Sequence, residues 1–355
     1  MTYAVSSDQH AHEWSAFATT NADGVNSRLA IILGEVERAA RELLAAGGNT
    51  LFLAGDLFHV RGKIDPEVLN PTIDTFKRIL GMGVRVHAIA GNHDLKGKHA
   101  NKLGNAMQSL DELPGFNAIT TPTLVKLYEN GQPDTEIMMI PWIEDLDELR
   151  SIATNHVMSS RDLIIHAPLN GVIKGLPDHG LDPVEVKAWG YRRVFIGHYH
   201  HHQEPQPGVF SIGATTHQTW SDPGTRAGFL LVDDTAVDFR ESMAPQFVNI
   251  DDVADIDPVT VAGNYVRLRF KDADADTLSA AREALKDAGA LAWVDHSSKK
   301  REVTRGASSS TANVTLEVSV ASYVANHLDV GKLSKKRVAV DALDVLREAR
   351  TVGAE

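Results

Sequence analysis

The sequence has no cysteine. That excludes disulfides and thiolate metal sites and suits a reducing cytosol. It also lacks an apolar run of the roughly 18 residues needed to span a bilayer. Its opening, Met1-Thr2-Tyr3-Ala4-Val5, carries neither a charged n-region nor an apolar h-region. No secretory signal or membrane association is therefore expected, and the cytoplasm is the expected location. Positive charge is scarce: 35 Lys and Arg against 47 Asp and Glu leave a net charge of −12. An acidic chain is a poor non-specific binder of nucleic acid. A nucleic-acid substrate would need local cations, or a partner that supplies them. Internal repeats and low-complexity tracts are missing as well.

The chain has 355 residues, 43% of them hydrophobic, which is enough for an ordinary core and suggests two domains or one large domain with an appendage. It has 16 histidines, several of them clustered just after apolar runs. The stretch around which the rest is organised is Leu51-Phe52-Leu53-Ala54-Gly55-Asp56-Leu57-Phe58-His59. Four apolar residues read as a buried strand, Gly55 turns the chain, and Asp56 follows at the strand's C-terminal end. Open α/β sheets bind ligands at that end. Asp56 has no basic neighbour in sequence, and a lone buried carboxylate is costly. A metal ion is the simplest counter-charge.

Similar strand ends recur along the chain. Ala4 to Ser6 leads into Asp8 and His10, an i, i+2 pair whose side chains point the same way on extended backbone. A helix is expected from Ser27 to Ala46, with Leu29, Ile32, Leu33, Val36, Ala40 and Leu43 on one face and Gly47 as its stop. Asn70-Pro71 is expected to open a second helix, with Pro at its first position. Val84 to Ala90 ends in Gly91-Asn92-His93-Asp94. There Asn92 can offer a neutral carbonyl oxygen to a metal, and His93 can face whatever the metal binds. Residues 99–110 read as a helix, Ile137 to Ile140 as a strand ending at Pro141-Trp142, and Leu146 to Ala153 as a helix. Leu163 to Ile165 ends in His166. Val194 to Ile196 leads into Gly197-His198-Tyr199-His200, where His198 and His200 share a face; His201 and His202 read as solvated. Val209 to Gly213 and Gly228 to Val232 are expected to form an antiparallel portion of the sheet system.

From about Ser242 the character changes. Tyr265 to Phe270 alternates as a half-buried strand, followed by a helix over 277–287 and a strand over 291–294. Residues 297–313, rich in Ser, Lys, Arg and Gly, read as a linker. Two amphipathic helices follow, over 318–328 and 335–349, the second carrying Lys335, Lys336, Arg337 and Arg347. The expected division is 1–240, 241–296, a linker at 297–313, and 314–355.

Singly, each ligand-type cluster also suits a capped turn or a satisfied loop histidine. Together, D-x-H, G-D-x-x-H, G-N-H-D, H and G-H-x-H form one coherent chemistry. Oxygen and imidazole donors without thiolate suit Mn²⁺, Fe²⁺ or Zn²⁺. Two such ions roughly 3.5–4 Å apart clamp a phosphoryl group and generate hydroxide at neutral pH. Asp56 is the candidate bridging carboxylate.

Across about residues 3–235 the motif set resembles the calcineurin-like metallophosphoesterases. His59 in Gly55-Asp56-Leu57-Phe58-His59 makes it similar to the SbcD-type DNA repair and recombination nucleases, phage-encoded members included. The resemblance implies an α/β fold: a four-layer αββα sandwich, a small α/β capping domain and C-terminal helices. One ion, most simply Mn²⁺, would be held by Asp8, His10, Asp56 and His200. A second would be held by Asp56, Asn92, His166 and His198. His93 would protonate the leaving oxygen, Asp94 would orient His93, and His59 would contact the substrate phosphate. The implied activity is a two-metal DNA phosphodiesterase, exonuclease or endonuclease, attacking through a metal-bridging hydroxide. It would be the nuclease subunit of a complex with an SMC-like, SbcC-type ATPase held by the C-terminal helices, with room for a homodimer, in the cytoplasm of a bacterial or phage-infected cell. The alternatives are a phosphoesterase acting on small nucleotides or phosphoproteins, and a non-catalytic scaffold for an ATPase.

Overall fold

The computed structural model describes residues 1–97, 104–129, 132–271, 273–298, 316–326, 328, 331 and 333–352. The chain divides into two units, Met1–Lys300 and Arg301–Glu355.

The first unit begins with β1 (Tyr3–Ser6), α1 (Ser27–Ala45), β2 (Thr50–Leu53), α2 (Pro66–Gly81), β3 (Arg85–Ile89) and β4 (Phe116–Ile119). Helix α1 starts where the Asn26 side chain accepts the backbone N–H groups of Arg28 and Leu29, an N-cap. It ends at Ala45, one residue short of the expected end, and Gly47 takes the left-handed conformation (φ 81°) that closes it. Helix α2 starts one turn earlier than expected. Pro66 rather than Pro71 takes the first turn, because Val68 already extends the buried stripe. Pro71 lies inside the helix, and Thr75 Oγ1 donates to its carbonyl at 2.9 Å.

Next come β5 (Thr123–Glu129), β6 (Gln132–Ile140), α3 (Leu146–Asn155), β7 (Asp162–His166), α4 (Pro183–Ala188), β8 (Arg193–Gly197), β9 (Gln203–Gln206), β10 (Val209–Ser211), β11 (Gly228–Val232) and β12 (Val237–Glu241). Strands β4 and β5 are not signalled by the sequence patterns. The helix expected over 99–110 is a short 3₁₀ turn, Ala106–Ser109, and residues 99–103 lie outside the described residues.

Two six-stranded sheets result, ordered β12-β11-β1-β2-β3-β4 and β5-β6-β7-β8-β10-β9. The two strands expected to form an antiparallel portion each have an antiparallel neighbour, but in different sheets. Strand β10 lies antiparallel to β9 and parallel to β8 in the second sheet, while β11 lies antiparallel to β1 and β12 in the first. The strand period of two then builds the layers. Ala4, Leu51, Leu53, Val86 and Ala88 face α1 and α2 in one apolar cluster. Tyr3, Val5, Phe52 and Ile89 face Ile137, Met139, Ile164 and Phe195 of the other sheet in a second. Leu163, Ile165, Val194 and Ile196 face α3 and α4 in a third. This is a four-layer αββα sandwich. Fully buried side chains such as Phe52 and Phe195 contribute about 1.5–3 kcal/mol each.

A buried ion pair within the second sheet also takes a hydrogen bond from Tyr3 of the first. Asp162 accepts from Arg192 Nη2 at 2.7 Å, Arg193 Nη2 at 2.9 Å and Tyr3 Oη.

Strands β13 (Phe247–Ile250), β14 (Tyr265–Leu268) and β15 (Ala292–Asp295) form a separate all-parallel sheet, ordered β13-β14-β15. With α5 (Pro258–Val261) and α6 (Ala275–Asp287) it encloses its own apolar cluster around Val266, Leu268 and Leu285. It meets the sandwich through aromatic rings. Phe17 stacks on Tyr265 at 4.8 Å and 7°, and Trp220 meets Phe247 edge-on at 4.7 Å. Most of the expected linker, residues 299–313, lies outside the described residues.

In the second unit, α7 (Leu316–Asn326) and α8 (Lys335–Val352) pack on each other, and Lys335 Nζ donates to the Ala325 carbonyl at 2.9 Å. Among the described residues, no helix is long and apolar enough to cross a membrane.

Candidate metal centre

The loops that leave β1, β2, β3, β7 and β8 meet at the C-terminal edges of the two sheets. The first two run side by side: Asp8 N–H donates to Gly55 O at 3.0 Å, and His10 N–H donates to Asp56 O at 3.0 Å. Sharp turns throw the side chains inward. Asp8, His10, Asp56 and His198 all have positive φ, at 52°, 46°, 54° and 123°. Such conformations cost on the order of 1–3 kcal/mol each and concentrate at functional sites. The glycines of the motifs are there for space. A Cβ on Gly55, which has φ 99°, would lie 2.3 Å from His166 Nδ1, and one on Gly91 would lie 2.1 Å from Asp56 Oδ1.

Asp56 stands in the middle. Its Oδ2 is 3.4 Å from His166 Nε2 and 3.7 Å from His10 Nε2, and its Oδ1 accepts the backbone N–H of His93 at 2.8 Å. On one side, Asp8, His10 and His200 bring donor atoms within 4.8 Å of one another. On the other, Asp56, His166 and His198 do the same. Asn92 Oδ1 joins the second group, 3.2 Å from His166 Nε2 and 3.0 Å from His198 Nδ1. His166 Nδ1–H donates to the Ala54 carbonyl at 2.8 Å, which leaves Nε2 as its ligand atom.

The electrostatics agree with a cation-binding cluster. Burial opposes ionisation of Asp56, but the neighbouring His166 and His10 outweigh it and hold the carboxyl well below its usual range. Burial also opposes charge on His166, and the Asp56 carboxylate overrides it to lift His166 to about 9. His198 is pushed down to about 3 and His59 to about 4, chiefly by burial, so both imidazoles are neutral at physiological pH. Burial raises Asp8.

Divalent ions fit this donor set. Asp8 Oδ1 is buried and has no hydrogen-bond partner. Among the described residues, neither Asp8 nor Asp56 forms an ion pair with Lys or Arg. Carboxylate, amide oxygen and imidazole suit Mn²⁺, Fe²⁺ or Zn²⁺ alike, with the His166 proton displaced on binding.

All seven expected ligands are brought together. The expected role of Asp94 is corrected. Its carboxylate accepts Phe58 N–H at 2.9 Å, Gly91 N–H at 2.9 Å and Leu57 N–H at 3.3 Å, so it ties the β2 and β3 loops rather than orienting His93. Burial, then the Asp56 charge, raises it to about 7. The His93 ring is oriented instead by its Nδ1–H, which donates to the His59 carbonyl at 2.6 Å. The His59 ring lies beside the cluster, with its Nδ1 3.4 Å from His10 Nδ1. His202 is not solvated: it is half-buried and stacks on Phe239 at 4.0 Å.

The sequence patterns miss several contributors. Trp142 stacks on His198 at 5.4 Å and 25°; its position just after β6, at a strand end, is the available signal. Trp14 packs on His59 at 4.5 Å. Asp222 accepts from His200, and Gln218 Nε2 donates to the Asp8 carbonyl at 2.7 Å. No motif marks these two.

A family model described as calcineurin-like phosphoesterase matches residues 1–202. Exonuclease subunit 1 of Enterobacteria phage T4 is 28% identical over 189 residues, which is 53% of this chain and 53% of that protein. The match thus spans about half the length of that relative. Among solved structures, a Thermus thermophilus protein aligns at 12% identity and a TM-score of 0.39, over 68% of this chain and 98% of that one. The Pseudomonas putida nuclease MPE aligns at 17% identity and a TM-score of 0.30, over 66% and 85%.

Proposed function

Because the chain belongs to the calcineurin-like phosphoesterase family, we propose that it hydrolyses phosphodiesters of DNA with two divalent ions, as the nuclease subunit of an ATPase-linked complex. The observation that carries this is the placement of Asp56 Oδ2 between His10 Nε2 and His166 Nε2, where one carboxylate serves two ion sites. Bound there, the ions would neutralise phosphoryl oxygens and supply a nucleophile from water at neutral pH.

The chain's own residues do the rest. Asp8, His10, Asp56 and His200 would hold one ion; Asp56, Asn92, His166 and His198 would hold the other. With Nδ1–H fixed on the His59 carbonyl, His93 keeps Nε2 for a proton destined for the leaving oxygen. His59 lines the same site and contacts the substrate phosphate. Substrate polarity is helped by charge. Arg61, Lys63 and Lys96 are exposed on the loops just past His59 and Asp94, with the Lys96 side chain against Gly62. They offer a local cationic edge on an acidic chain, where a phosphate backbone can run. The likeness to a relative named as an exonuclease subunit supports a nucleic-acid substrate and a partner. Helix α8 carries exposed Val340 and Val345, suited to docking on a coiled coil.

The test is degradation of linear, hairpin and circular DNA with Mn²⁺, beside small nucleotides and a phosphoprotein, by the wild type and Asp56→Asn. Metal-dependent DNA cleavage lost in the variant is expected. Hydrolysis of the small nucleotides alone would overturn the DNA assignment. A chain truncated after residue 307 should keep hydrolysis of a small phosphodiester and lose binding to the ATPase.

A further inference from the structure

The loop over 217–222 touches one ion site and not the other. His200 Nδ1 lies 3.2 Å from Asp222 Oδ1. A carboxylate can only accept, so the imidazole donates and its Nδ1 carries the proton. Asp222 is itself fixed: its Oδ2 accepts the backbone N–H groups of Gln218 and Thr219, both at 2.7 Å. It is 2% exposed. The same loop reaches back to the other ligand of that site. Gln218 Nε2 donates to Asp8 O at 2.7 Å and to Gln9 O at 3.2 Å, bracing the backbone where Asp8 holds its positive φ. The site of Asp56, Asn92, His166 and His198 is braced differently. There His166 is fixed by the main-chain carbonyl of Ala54, on the loop that follows β2.

We propose that Asp222 is the positioning residue of the ion site formed by Asp8, His10 and His200, selecting the His200 tautomer that leaves Nε2 free for a cation. The inference rests on reading the cluster as an ion site. It makes the two sites unequal: one depends on a side-chain carboxylate 22 residues from the histidine it orients, the other on the fold's own backbone. Partners of this kind, once removed, typically cost about 10–100-fold in metal affinity.

Asp222→Asn isolates the effect. The amide oxygen can still accept from Gln218 and Thr219, but its NH₂ now faces His200 Nδ1. The ring must then accept there and carry its proton on Nε2, the atom needed for the ion. The full-length, metal-stripped protein is titrated with Mn²⁺ by calorimetry. The wild type should bind two ions. In the variant, one of the two should weaken about 10–100-fold while the other is unchanged. At two equivalents of Mn²⁺, the spin-coupled pair signal of the wild type should give way to the signal of an isolated ion. In a His200→Ala background the Asn substitution should cost nothing further, whereas a merely structural loosening of the loop would weaken binding again. Wild-type affinity at both sites in Asp222→Asn, or a full additional loss in the double variant, overturns the proposal. A wild-type chain that takes up no Mn²⁺ defeats the ion-site reading, and the proposal with it.

Discussion

Asp8 accepts the backbone N–H of His198 through Oδ2 at 3.0 Å, across 190 positions of sequence. The bond ties the end of β1 in the first sheet to the end of β8 in the second. It also fixes the carboxylate so that the partnerless Oδ1 lies 3.8 Å from His10 Nε2. The geometry of the centre is thus set by the way the two sheets stack. Perturbations of the centre should separate into those that move a ligand, those that remove a proton donor and those that weaken the sandwich.

His93 stands outside the two groups around Asp8 and Asp56, although its ring also comes within 4.8 Å of His10 and His59 in a third cluster of donor atoms. Read as a proton donor, it is where chemistry and metal binding should part. His93→Ala should retain two bound ions and lose about 10²–10⁴-fold in rate, the usual contribution of a general acid. Metal content and turnover of a small phosphodiester check this together. Loss of one ion would make His93 a ligand.

Gly91 should be intolerant of a single methyl group. A Cβ there would lie 2.1 Å from Asp56 Oδ1 and 2.5 Å from Asp56 N, one of them backbone, so the bridging carboxylate must move. Gly91→Ala should fold, as judged by circular dichroism, yet bind Mn²⁺ more weakly at both sites, because Asp56 serves both. Normal affinity in this variant would show that Asp56 has room to spare.

Arg61, Lys63 and Lys96 should act on polymer and not on chemistry. Replacing all three with Ala should leave hydrolysis of a small phosphodiester unchanged. DNA binding should weaken across sequences. Its dependence on salt should flatten by about one unit of log–log slope for each phosphate no longer neutralised. Binding titrations from low to moderate salt measure the slope. An unchanged slope would move the DNA path elsewhere.

Asp162 sets an acid limit on stability. Burial opposes its ionisation, but hydrogen bonds from Arg192 and Arg193 prevail and hold it below the usual carboxylate range. A carboxyl with a depressed folded pKa contributes its full stability above the unfolded value, and loses it as pH falls through the folded one. The contribution should be intact at neutral pH, begin to fall near the unfolded carboxyl's value of about 4, and be lost only as pH drops through the lower folded value. Asp162→Asn leaves the buried Arg193 without its counter-charge and should cost on the order of 3 kcal/mol at pH 7. Urea unfolding at pH 7 and pH 3 checks it: the gap between wild type and variant should be smaller at pH 3 than at pH 7.

The sequence by itself determined the α1 helix, the strands that precede the site, and the identity of every candidate ligand brought together at the centre. Those features depend on periodicity and on turns a few residues long. Asp56 follows Gly55, and Asn92 follows Gly91, because only glycine leaves room for the side chains that converge there. Only the tertiary structure decided what depends on partners far apart in sequence. Asp94 sits beside His93, yet its oxygens are claimed by Phe58 and Leu57, more than 30 positions away. Strands β10 and β11 look alike as apolar runs, and stacking sends one to each sheet. Asp222 stands in no recognisable motif, because its role is conferred by His200, which the fold brings to it. A local pattern specifies a turn and the side chain it projects. Which donor meets which acceptor is settled when the two sheets close on a shared edge.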